Sequence, residues 1–273
     1  MDIQRLDELF VRQNLSTYRR TRRFLQDHEV LVNGTRALEA SYIIDVRKDT
    51  LVIDGTAHPL EREIYIMMNK KQNTVCTADE GWHERVFESI DEKYLHPKGL
   101  AKLHAVGRLD LDTEGLLLLT TDGKLSHRLT DPSTHITKTY LVYLRDYCPP
   151  EKQKLYTQMF KEGITVEPEK KSPAFTAQPA FLQWYGSENY HEIEKYCTLT
   201  AEPNLPELSF CTLTITEGKF HQVKRMFKAV GNEVIFLKRL AMGKLWLDSL
   251  LRPGQYRQLT EEECCLLSKT SKT

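Results

Sequence analysis

The sequence has no long apolar run, no cysteine pair at metal-binding spacing and no excess of either charge. None of its 273 residues belongs to a stretch approaching the ~20 consecutive apolar residues that a membrane helix needs. The opening MDIQRLDELF carries acids where a signal peptide has its apolar core, so a cytoplasmic protein with no membrane partner is expected. The six cysteines, at 76, 148, 197, 211, 264 and 265, form no C-x-x-C pair, and no histidine sits at finger spacing. This argues against zinc and against a disulfide framework. The 38 basic residues balance 38 acidic ones, so net charge favours no partner and only its distribution is informative. No repeat of solenoid period is present. Hydrophobic residues make up 40% and charged residues 28% of the chain, ordinary values for a soluble globular protein of about two domains at roughly 150 residues each.

The charge is unevenly spread. TYRRTRRFLQDHEVLVNGTR, at 17 to 36, holds five arginines against two acids. Arg19, Arg22 and Arg23 recur at i, i+3 and i+4, the spacing of one helical face, with Ser16 as N-cap. KFHQVKRMFKAVGNEVIFLKR, at 219 to 239, holds six basic residues against one acid, interleaved with Phe220, His221, Met226 and Phe227. An isolated basic run is most often a solvated helix face. Two runs, one interleaved with aromatics, have the composition of a surface that holds phosphates and stacks on bases.

The first 58 residues predict a self-contained module. QRLDELFVRQN and STYRRTRRFLQDH predict short amphipathic helices broken at Asn14. EVLVNG predicts a strand closing on the turn pair Asn33-Gly34, and SYIIDV and TLVIDG predict further strands. Two helices followed by small strands, with arginines along the second helix, resemble the S4 RNA-binding module. DGTAHPLER, at 54 to 62, predicts a linker. Beyond it, strands and helices alternate irregularly, which predicts an α+β domain over 59–263 with a mixed, largely antiparallel sheet. Residues 264–273, rich in Ser, Lys and Thr at their end, predict a disordered tail.

HAVGRLDLDTEGLLLLTTDG, at 104 to 123, sets an acidic cluster against four leucines. DLDTEG matches the opening of a calcium loop, but its twelfth position, which must supply a bidentate glutamate, is Thr121. Asp110 and Asp112 have the spacing of a phosphatase aspartate pair. However, the preceding AVGRL, predicted as a strand, contains Arg108, Glu114 stands where Thr or Val is needed, and no magnesium ligands follow. A third reading has the aspartates simply cap a turn.

GRLDLDTEGLLLLTTDG at 107 to 123, KTYLV at 138 to 142 and EGKFHQVKRMFKAVGNEV at 217 to 234 together resemble pseudouridine synthases of the bacterial ribosomal small-subunit type, behind an S4-like module. The resemblance covers most of the chain and implies the pseudouridine synthase fold. It also implies isomerisation of a specific uridine in ribosomal RNA without metal or cofactor. The uracil is detached from ribose, turned and rejoined through C5. Asp110 matches the family's catalytic aspartate, Lys219 the cation beside it, and Tyr140 the tyrosine that stacks on the base, although a half-buried strand tyrosine is its ordinary reading. Arg108 matches the arginine that fills the gap left by the flipped nucleotide. Asp112 and Glu114 are assigned to the turn. His221, Gln222, Lys224 and Arg225, with Arg19, Arg22 and Arg23, are expected to hold RNA. GKFHQVKRMF favours the small-subunit enzymes, making 16S rRNA or a small-subunit assembly intermediate the expected partner of a monomer. A 23S rRNA enzyme and a non-catalytic rRNA-binding assembly protein are the alternatives. NKKQN at 69 to 73 departs from the family's usual NKP-x-G, and 185 to 208 is longer than expected between adjoining strands, which predicts an inserted surface loop.

Overall fold

The computed structural model describes residues 3–77, 81–97, 100–169, 172–186, 188–197 and 209–268. The chain forms two compact units. The first comprises 1–65, 90–104 and 119–123, and the second 66–89, 105–118 and 124–273.

In the first unit, the helix Leu6–Arg12 buries Leu6, Leu9 and Phe10, the i, i+3, i+4 stripe of an amphipathic helix. Asn14, at φ 56°, ends it. The second helix is shorter than its sequence suggests and covers Thr21–Asp27. Thr17 O accepts from Arg20 N and Thr21 N, each at 2.9 Å, so Arg19 lies in a turn ahead of the helix, and Ser16 Oγ donates to Thr17 O instead of capping. Both helices pack on a four-stranded sheet in the order Thr35–Arg36, Val30–Val32, Leu51–Ile53, Thr56–His58. Leu25, Val30, Val32, Ile44, Leu51 and Ile53 complete the core. Asn33 and Gly34 both have positive φ, as do Asp54 and Gly55, the geometry of two-residue hairpin turns. Asp54-Gly55 is therefore a turn into a fourth strand, which corrects the linker expected from residue 54.

The second unit is built on a nine-stranded sheet whose main path runs Phe181–Tyr185, Ser209–Ile215, Lys138–Leu144, Val234–Met242, Glu114–Thr120, Tyr65–Lys70, Tyr256–Gln258. Lys138–Leu144 pairs antiparallel with a strand on each side, and Glu114–Thr120 runs parallel to Val234–Met242. The mixed sheet agrees with expectation. Leu116, Leu117, Leu118 and Leu119 are at most 2% exposed, the continuous apolar run of a strand covered on both faces. Gly115, the second residue of this strand, has φ +102°, and a Cβ added there would lie 2.3 Å from Arg239 O. Only glycine lets the two backbones approach so closely there.

The helices Pro150–Glu162 and Gln222–Ala229 meet through Phe160 and Phe227, whose ring centroids are 5.0 Å apart. Trp184 Nε1 donates to Thr157 Oγ1 at 3.1 Å, which ties the first of these helices to the edge strand. The strand Glu84–Arg85 pairs parallel with Thr74–Val75 and leads into a single 3₁₀ turn over Val86–Ser89. Residues 264–268, expected in a disordered tail, belong to the helix Glu261–Ser268. Its Leu267 is 6% exposed and Leu267 O accepts from Arg128. Of the expected 185–208 insertion, 187 and 198–208 lie outside the described residues. The remainder includes the short helix His191–Glu194, which buries Ile193. Among the described residues no helix is long and apolar enough to cross a membrane.

Candidate active site

The acidic segment is a loop fixed from beneath. AVGRL is not a strand beyond His104–Ala105, because Gly107 turns the chain at φ 71°. Arg108 is consequently exposed in the loop and makes no hydrogen bond or ion pair with the described residues, where sequence reasoning had placed it inside a strand. Leu109 is anchored by Cys76, whose Sγ accepts from Leu109 N at 3.4 Å.

Lys70, the last residue of its strand, is completely buried. Its Nζ lies 3.0 Å from Asp110 O, 3.3 Å from Leu111 O, 2.9 Å from Thr113 O and 3.1 Å from Lys71 O. Three of these four carbonyls belong to the loop that presents Asp110. Burial pushes the Lys70 pKa down, while Cys76 and the carboxylates of Asp110, Asp112 and Glu114 oppose that shift. Sequence reasoning gave this residue no role. The available signal was a cation closing the apolar strand YIMMN.

The Asp110 carboxylate is 28% exposed, open enough to meet a ligand. Lys224 Nζ lies 3.6 Å from its Oδ2 and His221 Nε2 3.6 Å from its Oδ1. Lys224 also donates a hydrogen bond to Asp112 Oδ1. Burial acts to raise the Asp112 pKa, but the hydrogen bond and charge of Lys224 outweigh it and leave the carboxyl below its usual range. Lys224 comes from the helix Gln222–Ala229, so a single ammonium holds both ends of the D-L-D motif against that helix. Asp112 is thus an ion-pair partner of Lys224 as well as a turn residue. Glu114 is not in the turn. It begins the leucine strand, is 8% exposed and faces the buried Lys238 at 3.8 Å.

Lys219, expected beside Asp110, points elsewhere. Its Nζ pairs with Glu217 at 2.8 Å, donates to Thr176 O at 3.2 Å and lies 4.5 Å from the centre of the Phe175 ring. The cation next to Asp110 is Lys224. The helix starts at Gln222, so Lys224 is on its first turn and faces the aspartate loop, while Lys219 precedes the turn at His221 and faces Glu217.

Gln222 and Arg225, expected on the RNA surface, are buried. Gln222 is 3% exposed. Its Nε2 donates to Glu217 Oε1 at 2.6 Å and its Oε1 accepts from Lys219 N at 2.9 Å, so its amide is spent on shaping the E-G-K-F-H turn. Arg225 is 4% exposed and donates to Glu167 O and Pro173 O, each at 2.8 Å, and to Phe220 O at 3.4 Å. Both brace the loops that carry His221 and Lys224.

Tyr140 is 9% exposed in the central strand, opposite Leu213 and Arg239. Between Thr139 and Tyr140 the register shifts and leaves Leu240 of the neighbouring strand without a register partner, an irregularity of the kind that occurs beside active sites. Tyr140 forms no hydrogen bond with Asp110, Lys224 or His221. In the first unit Arg19, Arg22 and Arg23 are all exposed, and Arg23 pairs with Asp27 at 3.3 Å. No group of three His, Cys, Asp or Glu side chains among the described residues is arranged to hold a metal ion. The site can therefore present two carboxylates, Asp110 and Asp112, two flanking basic side chains and an exposed arginine to a ligand.

The family model for RNA pseudouridylate synthase matches residues 64–229, which include the Lys70 strand, the Asp110 loop, Tyr140 and the Lys224 helix. The chain is 38% identical over 269 residues to ribosomal small subunit pseudouridine synthase A of Yersinia pestis, covering 95% of this chain and 96% of the relative. It is 36% identical to the protein of the same name from Escherichia coli (95% and 97% covered). It is also 34% identical to an uncharacterised RNA pseudouridine synthase of Bacillus subtilis (97% and 98% covered). A crystal structure of a pseudouridylate synthase superimposes with a TM-score of 0.59 at 33% identity, covering 96% of this chain and 99% of that one. The chain belongs to the RNA pseudouridylate synthase family.

Proposed function

We propose that this enzyme converts one uridine of 16S ribosomal RNA to pseudouridine, with Asp110 as the attacking carboxylate. The observation that carries the reading is the Asp110–Lys224 pair on a loop pinned by Lys70. Desolvation by an incoming nucleotide raises a carboxyl pKa, and a neighbouring cation opposes that rise. Lys224 thus supplies the counter-charge to the Asp110 carboxylate when the site fills. In the reaction the N1–C1′ bond breaks and the C5–C1′ bond forms. N1 ends protonated, and C5 loses its proton. The free uracil must be held while it turns, a role Tyr140 fits by stacking. A target inside a fold has to be extruded, and the exposed, unpaired Arg108 is placed to occupy the space it leaves. A protein that only bound RNA would gain nothing from an aspartate facing phosphates, which it would repel.

The choice of 16S rRNA is supported by the names of the Yersinia and Escherichia relatives and by the basic-aromatic stretch at 219 to 228. The first unit, with Arg19, Arg22 and Arg23 exposed, serves as a separate RNA grip of the S4 kind, setting register through phosphates. The test is to map pseudouridine in 16S and 23S rRNA from cells with and without the gene. Loss of one 16S pseudouridine is expected. Loss confined to 23S rRNA would move the substrate, and an unchanged pattern in both would remove the proposal.

A further inference from the structure

Phe220 is 53% exposed, a large apolar ring in solvent next to the histidine that faces the proposed catalytic aspartate. Its ring stacks on His221, with centroids 3.7 Å apart and planes 20° from parallel, and His221 Nε2 is the atom 3.6 Å from Asp110. With one face covered by the imidazole, the exposure of Phe220 falls on its other face and its edge.

The ring pair is held in place. His221 adopts the left-handed conformation, φ 50°, which costs a non-glycine residue of order 1 kcal/mol and persists where the surroundings impose it. Those surroundings are visible. Arg225 N donates to His221 O at 2.9 Å, Arg225 Nη1 donates to Phe220 O, and Gln222 grips Lys219 N from the other side. Two buried side chains therefore fix the backbone on which an exposed aromatic stands. Beyond its stack on His221 the ring stays half exposed, and an exposed aromatic plane in a basic stretch is what a nucleobase on a phosphate chain meets well.

We propose that Phe220, backed by His221, is a stacking platform for the base of a nucleotide flanking the target uridine, and so selects single-stranded RNA whose neighbouring base is unstacked. This rests on the proposed RNA pseudouridylation at Asp110 and adds a determinant of substrate choice to it. Stacking on an aromatic is tolerant of base identity but requires a base to be present. The platform therefore reads strand architecture, while identity is left to other contacts.

The test uses the full chain and an rRNA fragment carrying 5-tritiated uridine, together with versions of the fragment in which the nucleotide on either side of the target is abasic. Phe220→Leu should raise KM by roughly 5- to 150-fold, the range for loss of one base–aromatic stack, with kcat within about twofold. Phe220→Tyr and Phe220→Trp, which keep the plane, should restore KM. On one of the two abasic fragments the Leu variant and the wild type should become equal. A KM penalty that persists on both abasic fragments, or a Leu variant that is indistinguishable from wild type on intact RNA, would overturn the platform. Binding of the fragment with 2-aminopurine at the flanking positions gives a readout independent of turnover. Quenching by wild type and not by Phe220→Leu supports the platform even if no tritium is released, whereas equal quenching overturns it. Absence of tritium release by wild type would count against the proposed reaction alone.

Discussion

Replacing Lys70 with methionine should unsettle the Asp110 loop without touching any residue that meets RNA. Methionine keeps most of the side chain's volume and removes the ammonium. That ammonium has three protons for four carbonyls at 2.9 to 3.3 Å, so it is saturated, and its loss leaves several buried acceptors short of a donor at about 1–3 kcal/mol each. Against this stands the relief of desolvation, which is the force that pushes the Lys70 pKa down. The two together predict a net loss of about 2–4 kcal/mol in stability. The functional effect should exceed what unfolding explains. Three of the four carbonyls belong to residues 110, 111 and 113, and a displacement of about 1 Å in a reacting group costs on the order of 100-fold in rate. The assay pairs urea unfolding with tritium release from C5-labelled rRNA at a temperature where the variant is folded. An unchanged urea midpoint with kcat within twofold of wild type would refute the clamp.

Lys224→Met should lower kcat by at least about 100-fold, the usual loss when a charged group at the reacting centre is removed. Lys219→Met, which breaks a partly exposed pair with Glu217, should cost less than about fivefold, and the reverse order in tritium release would return the counter-charge to Lys219. Burial, helped by the nearby Arg239, pushes the Lys138 pKa from 10.5 down to about 8. The folded state therefore binds this proton less readily than the unfolded one. The penalty is fully present below about pH 8 and is relieved as pH rises toward 10.5, where the unfolded chain also loses the proton. It amounts to about 3 kcal/mol. Lys138→Met should accordingly be more stable than wild type at pH 7 in urea melts, by a margin that shrinks at pH 10, and a less stable variant at pH 7 would contradict this. Changing Arg19, Arg22 and Arg23 together to glutamine should weaken rRNA binding and flatten the log K against log salt slope by about 2–3, leaving kcat unaltered. An unchanged slope would remove these arginines from the RNA surface.

Much of the fold was legible because local signals and tertiary demands agree. N-G at 33 and 34 reads as a hairpin turn and is found as one, and the irregular alternation beyond residue 59 reads as a mixed sheet and is found so. The failures have common causes. D-G at 54 was read as the start of a linker because a polar turn resembles one, yet the strand it introduces needs only three residues. The segment AVGRL alternates as a strand does, but Gly107 adopts a positive φ that periodicity cannot reveal. In the site, motif resemblance points to Asp110, yet it does not reveal which lysine faces it. Lys219 and Lys224 differ in which side of the helix start they occupy, and that depends on the left-handed turn at His221. Gln222 and Arg225 look like RNA contacts in a basic stretch, and only their own burial and their bonds to Glu217, Glu167 and Pro173 show that they are spent on the protein itself. Lys70 was missed for the opposite reason: its partners are backbone carbonyls, which leave no trace in residue identity.

The most direct test of the account is tritium release from C5-labelled rRNA by the wild-type chain and by Asp110→Asn, a change that keeps the side chain's shape and removes its charge. Wild type should release tritium and Asp110→Asn none above background, with rRNA binding retained. Release by Asp110→Asn at a rate comparable to wild type would contradict a carboxylate at the centre of this site.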